Sequence, residues 1–117
     1  MSARMHLSGA HGSQVPAGER VEAAVAVLGL LADRTRLVLL RRLCDGEADV
    51  STLTEACGAS RTSVSQHLAR LRLAGLVTTR KDGRRVVYAL RHGHIQRLVH
   101  EALSVADHQL GHLPPHD

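Results

Sequence analysis

The stretch SRTSVSQHLARLRLAGLVTTRKDGRRVVYAL, Ser60 to Leu90, decides the fold. Ser60 is a residue type that caps helix starts, and Val64, Leu68 and Leu71 follow at i, i+4 and i+7, the spacing of one helix face. The other side of that helix start carries Arg61, Thr62, Ser63, Ser65, Gln66 and His67, all hydrogen-bonding side chains. Beyond the helix, Leu76 to Thr79 are β-formers, Lys81, Asp82, Gly83 and Arg84 make a turn, and Val86, Val87 and Tyr88 return as a second strand. Arg80, Lys81, Arg84 and Arg85 place four cations around that turn. Upstream, Ser51 is positioned to cap a short helix holding Leu53 and Ala56, and Gly58 ends it as a left-handed residue would.

A short helix, a tight turn with Gly and a second helix that starts with small polar side chains is the pattern of a helix-turn-helix. Gln pairs bidentately with adenine, Arg with guanine, and Ser or Thr with either base or phosphate. Residues 51–74 therefore read as a head for double-stranded DNA. The hairpin reads as a wing whose cations neutralise phosphates and add affinity without sequence information. A solvated polar face and a hairpin kept charged for solubility would account for these residues singly. They do not account for residues 56–100 carrying nine cations and one acid, Asp82.

The remainder of the chain fits around that head. Its 117 residues suit one domain, and 44% hydrophobic content excludes a disordered tail. With Tyr88 the lone aromatic, the core must be aliphatic, and a chain this short gains burial by pairing with a second copy. Fourteen of the fifteen cations are Arg, the residue suited to phosphate, and the net charge is +4. Residues 1–18 lack apolar periodicity and read as a flexible arm; residues 19–111 form the domain, and 112–117 a tail. Val21, Val25 and Leu28 mark a first helix, and Leu37, Leu40, Leu43 and Cys44 a second behind the cap Asp33. Ile95, Leu98, Val99, Ala102, Leu103 and Ala106 mark a last helix from about His92 to Leu110. Two cysteines, Cys44 and Cys57, are too few for a disulfide framework, and no signal peptide or membrane-spanning run is present, which predicts a reducing cytoplasm and no membrane partner.

With LADRTRLVLLRRL (31–43) added to SVSQHLARLRLAGLV (63–77), the chain resembles the ArsR/SmtB family of metal-responsive winged-helix repressors over roughly residues 19–110. The resemblance implies a mainly α (α+β) winged helix-turn-helix, ordered as four helices, two strands and a fifth helix. It also implies a homodimer through the first and fifth helices that binds operator DNA when metal-free and leaves it when metal binds. Members that sense soft ions carry a Cys-x-Cys type motif at the start of the third helix. The matching EADVST (47–52) has Asp49 and Ser51 there, which argues against thiolate sensing.

Six of the nine histidines follow residue 91, and the candidate donors are His92, His94, His100, Asp107, His108, His112, His116 and Asp117. Imidazole and carboxylate suit Zn, Ni and Co. His94 and His108 share nearly one helix face but lie about 21 Å apart along it, so a single helix cannot bring them to one ion. Two such helices paired antiparallel would set His94 of one chain beside Asp107 and His108 of the other. The family's zinc pattern has a later His where Val105 stands. Carried over from its nickel- and cobalt-sensing members, the ligands become His94, Asp107, His108, His116 and Asp117, with Asp107 in place of Glu and Asp117 in place of His; His112 is a further candidate. Five or six nitrogen and oxygen donors favour Ni(II) or Co(II) over tetrahedral Zn(II). His67 is counted with the DNA face, and His6 and His11 lie in the arm.

An enzyme is not expected: a metal hydrolase needs a pocket, an open metal position and a general base that this chain does not display. The alternatives kept are a Zn(II)-responsive repressor, a switch through oxidation of Cys44 and Cys57, and a repressor that answers to no metal.

Overall fold

A computed structural model describes residues 16–112. His6 and His11 of the arm, and His116 and Asp117 of the tail, lie outside the described residues. Along the chain run α1 (Ala17–Leu31), α2 (Arg34–Leu43), β1 (Ala48–Asp49), α3 (Val50–Cys57), α4 (Arg61–Leu73), β2 (Val77–Asp82), β3 (Arg85–Leu90) and α5 (Gly93–Gly111). The strands make one antiparallel sheet in the order β1-β3-β2. This is a winged helix-turn-helix: α3 and α4 form the head, and β2 and β3 the wing.

Caps explain most boundaries. The Asp33 carboxylate accepts the Arg36 backbone N–H at 3.0 Å and opens α2, and Ser60 Oγ accepts the Ser63 N–H at 3.1 Å and opens α4. The cap of α3 is Asp49 and not Ser51: Asp49 Oδ1 accepts the Thr52 N–H at 2.9 Å, and Ser51 sits inside the helix. The cause is a strand that the sequence pattern does not signal. Ala48 and Asp49 pair with Tyr88 and Val87, so the chain enters α3 from extended backbone at Asp49. Two residues are too few to show alternation. α1 opens at Ala17 behind Pro16, so the last two residues of the stretch assigned to the arm are helical.

The wing is longer than the turn residues suggest. Its strands pair from Val77 with Leu90 to Asp82 with Arg85, leaving Gly83 and Arg84 as a two-residue turn, with Gly83 at φ 65. Arg80, Lys81 and Arg85 therefore stand on strands.

The core lies where α2, α3 and α4 meet the sheet and the first turns of α5. Leu39, Leu40, Leu53, Val64, Leu68, Leu71, Val77 and Val99 are fully buried there. Each such side chain contributes about 1.5–3 kcal/mol of transfer free energy. α1 and the distal half of α5 take little part: Val21, Val25 and Leu28 are more than half exposed, as are Val105 and Leu110. No described helix is long and apolar enough to cross a membrane.

Gly58 ends α3 in the left-handed region at φ 72, and a Cβ there meets nothing within 4 Å. Its replacement thus tests backbone strain alone. Gly58→Ala is expected to lower the unfolding free energy by about 1 kcal/mol in a urea melt, and Gly58→Asn by less. Equal midpoints for wild type and Gly58→Ala would contradict this cap.

Candidate nucleic-acid interface and metal ligands

Burial of Val64, Leu68 and Leu71 fixes which side of α4 faces out. Arg61, Thr62, Ser65 and Gln66 are exposed and line a shallow concavity together with Ala69, which the sequence pattern did not single out. Two of the nominated side chains turn elsewhere. Ser63 is half-buried beside its cap. His67 is directed inward, where its Nδ1 accepts from the Arg36 guanidinium at 3.2 Å and lies 3.9 Å from Asp33 Oδ2. It packs between α4 and the start of α2. Arg36 is itself buried and also donates through Nε to the Leu30 carbonyl at 2.9 Å.

Arg61 is held sideways: its Nη1 donates to Ser51 Oγ at 2.9 Å, joining the first turns of α3 and α4. In the wing, two of the four cations are already paired. Arg80 donates to both carboxylate oxygens of Glu47. Arg85 donates to Asp49 Oδ2 at 3.1 Å and to Asp82 Oδ2 at 2.7 Å. The register explains the grouping, because Arg80, Asp82, Arg85 and Asp49 fall on one face of the sheet. Lys81 and Arg84 have no ion-pair partner among the described residues. Arg70 and Arg72, exposed near the end of α4, share that condition and extend the cationic surface past the residues nominated from sequence.

These contacts set the carboxylates. The hydrogen bond from Arg80 holds Glu47 below the usual carboxylate range, and that from Arg85 does the same for Asp82. For Asp49 the Thr52 backbone N–H is the main cause, with Arg85 adding to it. Asp33 is lowered chiefly by the Arg36 backbone N–H.

The histidines sit on α5. His92 occupies its N-cap position without a side-chain cap bond. His94 is exposed, and its Nδ1 accepts from the Arg97 guanidinium. His100, Asp107, His108 and His112 are exposed as well, and the rings of His108 and His112 lie 4.2 Å apart on adjacent turns. Among the described residues no group of three or more His, Cys, Asp or Glu side chains is set to hold a metal within the chain. The helix keeps His94 at one end and Asp107 and His108 at the other, as its length dictates. Cys44 and Cys57 are half-buried. Burial, then the neighbouring Asp45, pushes the Cys44 thiol up, which lowers its thiolate fraction and its reactivity.

Residues 33–79 match the bacterial regulatory proteins of the arsR family. The HTH-type transcriptional regulator KmtR of Mycobacterium tuberculosis is 43% identical over 98 residues, which cover 84% of this chain and 75% of that protein. NmtR of the same organism is 35% identical over 103 residues, covering 87% of this chain and 86% of that protein. The solution structure of apo-NmtR superposes with a TM-score of 0.69 at 34% identity, covering 96% of this chain and 93% of that one. The homodimeric winged helix-turn-helix DNA-binding domain Mb0332 of Mycobacterium bovis superposes with a TM-score of 0.74 at 29% identity, covering 95% and 100%.

Lowered carboxylates make stability depend on acid. Each contributes stability that is fully present above its unfolded pKa and is lost as pH falls through the depressed folded value. The melting temperature is thus expected to hold from about pH 7 to about pH 5 and to fall below about pH 4. The doubly substituted Glu47→Gln, Asp82→Asn chain should show a smaller acid-induced fall, and raised salt should shrink the difference. Parallel curves for the two proteins would contradict a contribution of the wing ion pairs to acid stability.

Proposed function

This chain belongs to the ArsR family of bacterial regulatory proteins and is a transcriptional regulator, not an enzyme; on that footing we propose that it is a cytoplasmic repressor which binds operator DNA as a metal-free homodimer and is released by Ni(II) or Co(II). The observation that carries the metal reading is the distal half of α5. It is exposed along nearly its whole length, carries Ala102, Val105, Ala106 and Leu110, and has its donors at opposite ends of the helix. Such a helix gains a buried face only from a partner, and α1, with Val21, Val25 and Leu28 exposed, has the same need. Two copies of α5 packed antiparallel would bury the apolar stripe and set His94 of one protomer beside Asp107 and His108 of its partner. His112, or His116 and Asp117, would complete each of two equivalent shells. The names of the relatives and the homodimeric state of the Mb0332 domain support this reading.

On the DNA side, Thr62, Ser65 and Gln66 face base edges from the major groove, while Lys81, Arg84 and the wing meet phosphate. In a dimer the two heads would engage half-sites about 34 Å apart, one turn of the duplex. Metal can release the dimer only through a different affinity for its DNA-binding and free arrangements. A coupling of about 1–3 kcal/mol per site is enough to change occupancy many-fold. His94 accepts from Arg97 at Nδ1, so a metal held at that nitrogen would have to displace the guanidinium. Zn(II) is the second reading, favoured by the His108–His112 pair on adjacent turns. The raised Cys44 thiol weighs against a redox switch.

Gel-shift titration with Ni(II), Co(II) and Zn(II) tests the assignment. His94→Ala and His108→Ala are expected to retain operator binding and to need at least ten times more metal for release than wild type. Release that is unaltered in both variants would reject the α5 site. Weak visible bands in the Co(II) complex are expected for five or six ligands; intense bands would mean four and favour Zn(II).

A further inference from the structure

Arg61 stands where sequence reasoning puts a base reader, at the first position of the recognition helix, yet its guanidinium is committed in another direction. It reaches back ten residues to the Ser51 hydroxyl on the first turn of α3. That contact places it in a notch between the helix-turn-helix and the wing, with Arg84, Arg85 and Asp49 also on its walls. Arg85 is occupied by Asp49 and Asp82. Arg61 and Arg84 have no carboxylate partner among the described residues. Three guanidinium groups against one carboxylate leave the notch with surplus positive charge, and Arg61 and Arg84 are free to serve it.

We propose that this notch seats one backbone phosphate of the operator in each half-site, held by Arg61 and Arg84 with the Ser51 hydroxyl as the neutral partner. Arg61 on this account fixes register and affinity and does not read a base. The chemistry fits: a planar guanidinium meets both non-bridging oxygens of a phosphodiester at once, and a serine hydroxyl that accepts from Arg61 keeps its own O–H to donate to one of them. The location selects a DNA phosphate over a free anion. Arg61 also borders the exposed strip of Thr62, Ser65, Gln66 and Ala69, so a duplex presenting base edges to that strip carries its backbone past the notch. The proposal rests on the reading of the chain as a DNA-binding regulator.

The test uses the full metal-free chain and an operator that it selects from random duplexes. Arg61→Ala is expected to weaken binding to the operator and to a scrambled duplex by the same factor, about tenfold at low salt, and to lower the slope of log affinity against log salt by about two, one for each half-site of the dimer. Base preferences in a repeated selection should stay unchanged. One methylphosphonate substitution per half-site should weaken wild type, and should weaken Arg61→Ala less, because only Arg84 and Ser51 still meet that phosphate there. Arg61→Lys, which keeps the charge, should restore the salt slope and show that the loss is not one of folding. The proposal is overturned if Arg61→Ala relaxes preference at a single base pair, or if no methylphosphonate position has a smaller effect in that variant than in wild type. It also fails if the salt slope does not change. A wild-type chain that captures no duplex would remove the DNA reading itself, and this seat with it.

Discussion

Unbalanced burial is the constraint on which the rest of the structure depends. The chain has no Phe or Trp, so its core is assembled from Leu and Val, and the space enclosed by α2, α3, α4 and the sheet is filled by them. What lies outside that space is left exposed by the described residues. α1 touches α2 along one side, and beyond its first turns α5 extends past the core with Val105 and Leu110 in water. A helix of 19 residues is about 28 Å long, longer than the core that one end of it covers. On the proposed reading this geometry would tie burial to metal binding, because a helix that extends past its own core is long enough to carry donors that only a second helix could bring together.

Electrostatics on the other side of the molecule follow a similar division. Net charge alone marks the surface as basic, but the carboxylates of Glu47, Asp49 and Asp82 sit on the wing and bind Arg80 and Arg85. Exposed ion pairs of this kind contribute little to stability. Their effect is positional: they hold two guanidinium groups against the sheet, while Lys81, Arg84, Arg61, Arg70 and Arg72 of the head and wing have no carboxylate partner among the described residues. The open cationic surface is therefore narrower than the count of Arg and Lys suggests, and it runs along α4 and the wing turn.

Local features were legible in the sequence because local physics creates them. The caps Asp33 and Ser60, the left-handed Gly58, the inward face of Val64, Leu68 and Leu71, and the separation of His94 from His108 each depend on residues a few positions apart or on helix rise. What escaped the sequence depends on distant pairing. β1 exists because Ala48 and Asp49 meet Tyr88 and Val87, some forty residues away, and once it exists the cap of α3 moves from Ser51 to Asp49. The ion pairs of Arg80 and Arg85 span 33 and 36 residues. His67 looked like one more polar side chain on an outer face, and only the position of Arg36 shows that it points in.

Arg36 also bears on how a small change at a dimer interface reaches a reading helix. A buried guanidinium cannot shed its proton, so its burial requires acceptors. It takes the Leu30 carbonyl near the end of α1 and the His67 ring on α4, while its own backbone N–H holds the Asp33 cap. One side chain thus joins the first, second and fourth helices. A hydrogen bond to a charged group is worth about 1.5–3 kcal/mol net, the same size as the 1–3 kcal/mol that a typical allosteric coupling requires. Losing one bond of this junction would thus cost a free energy of the size that a typical allosteric coupling requires.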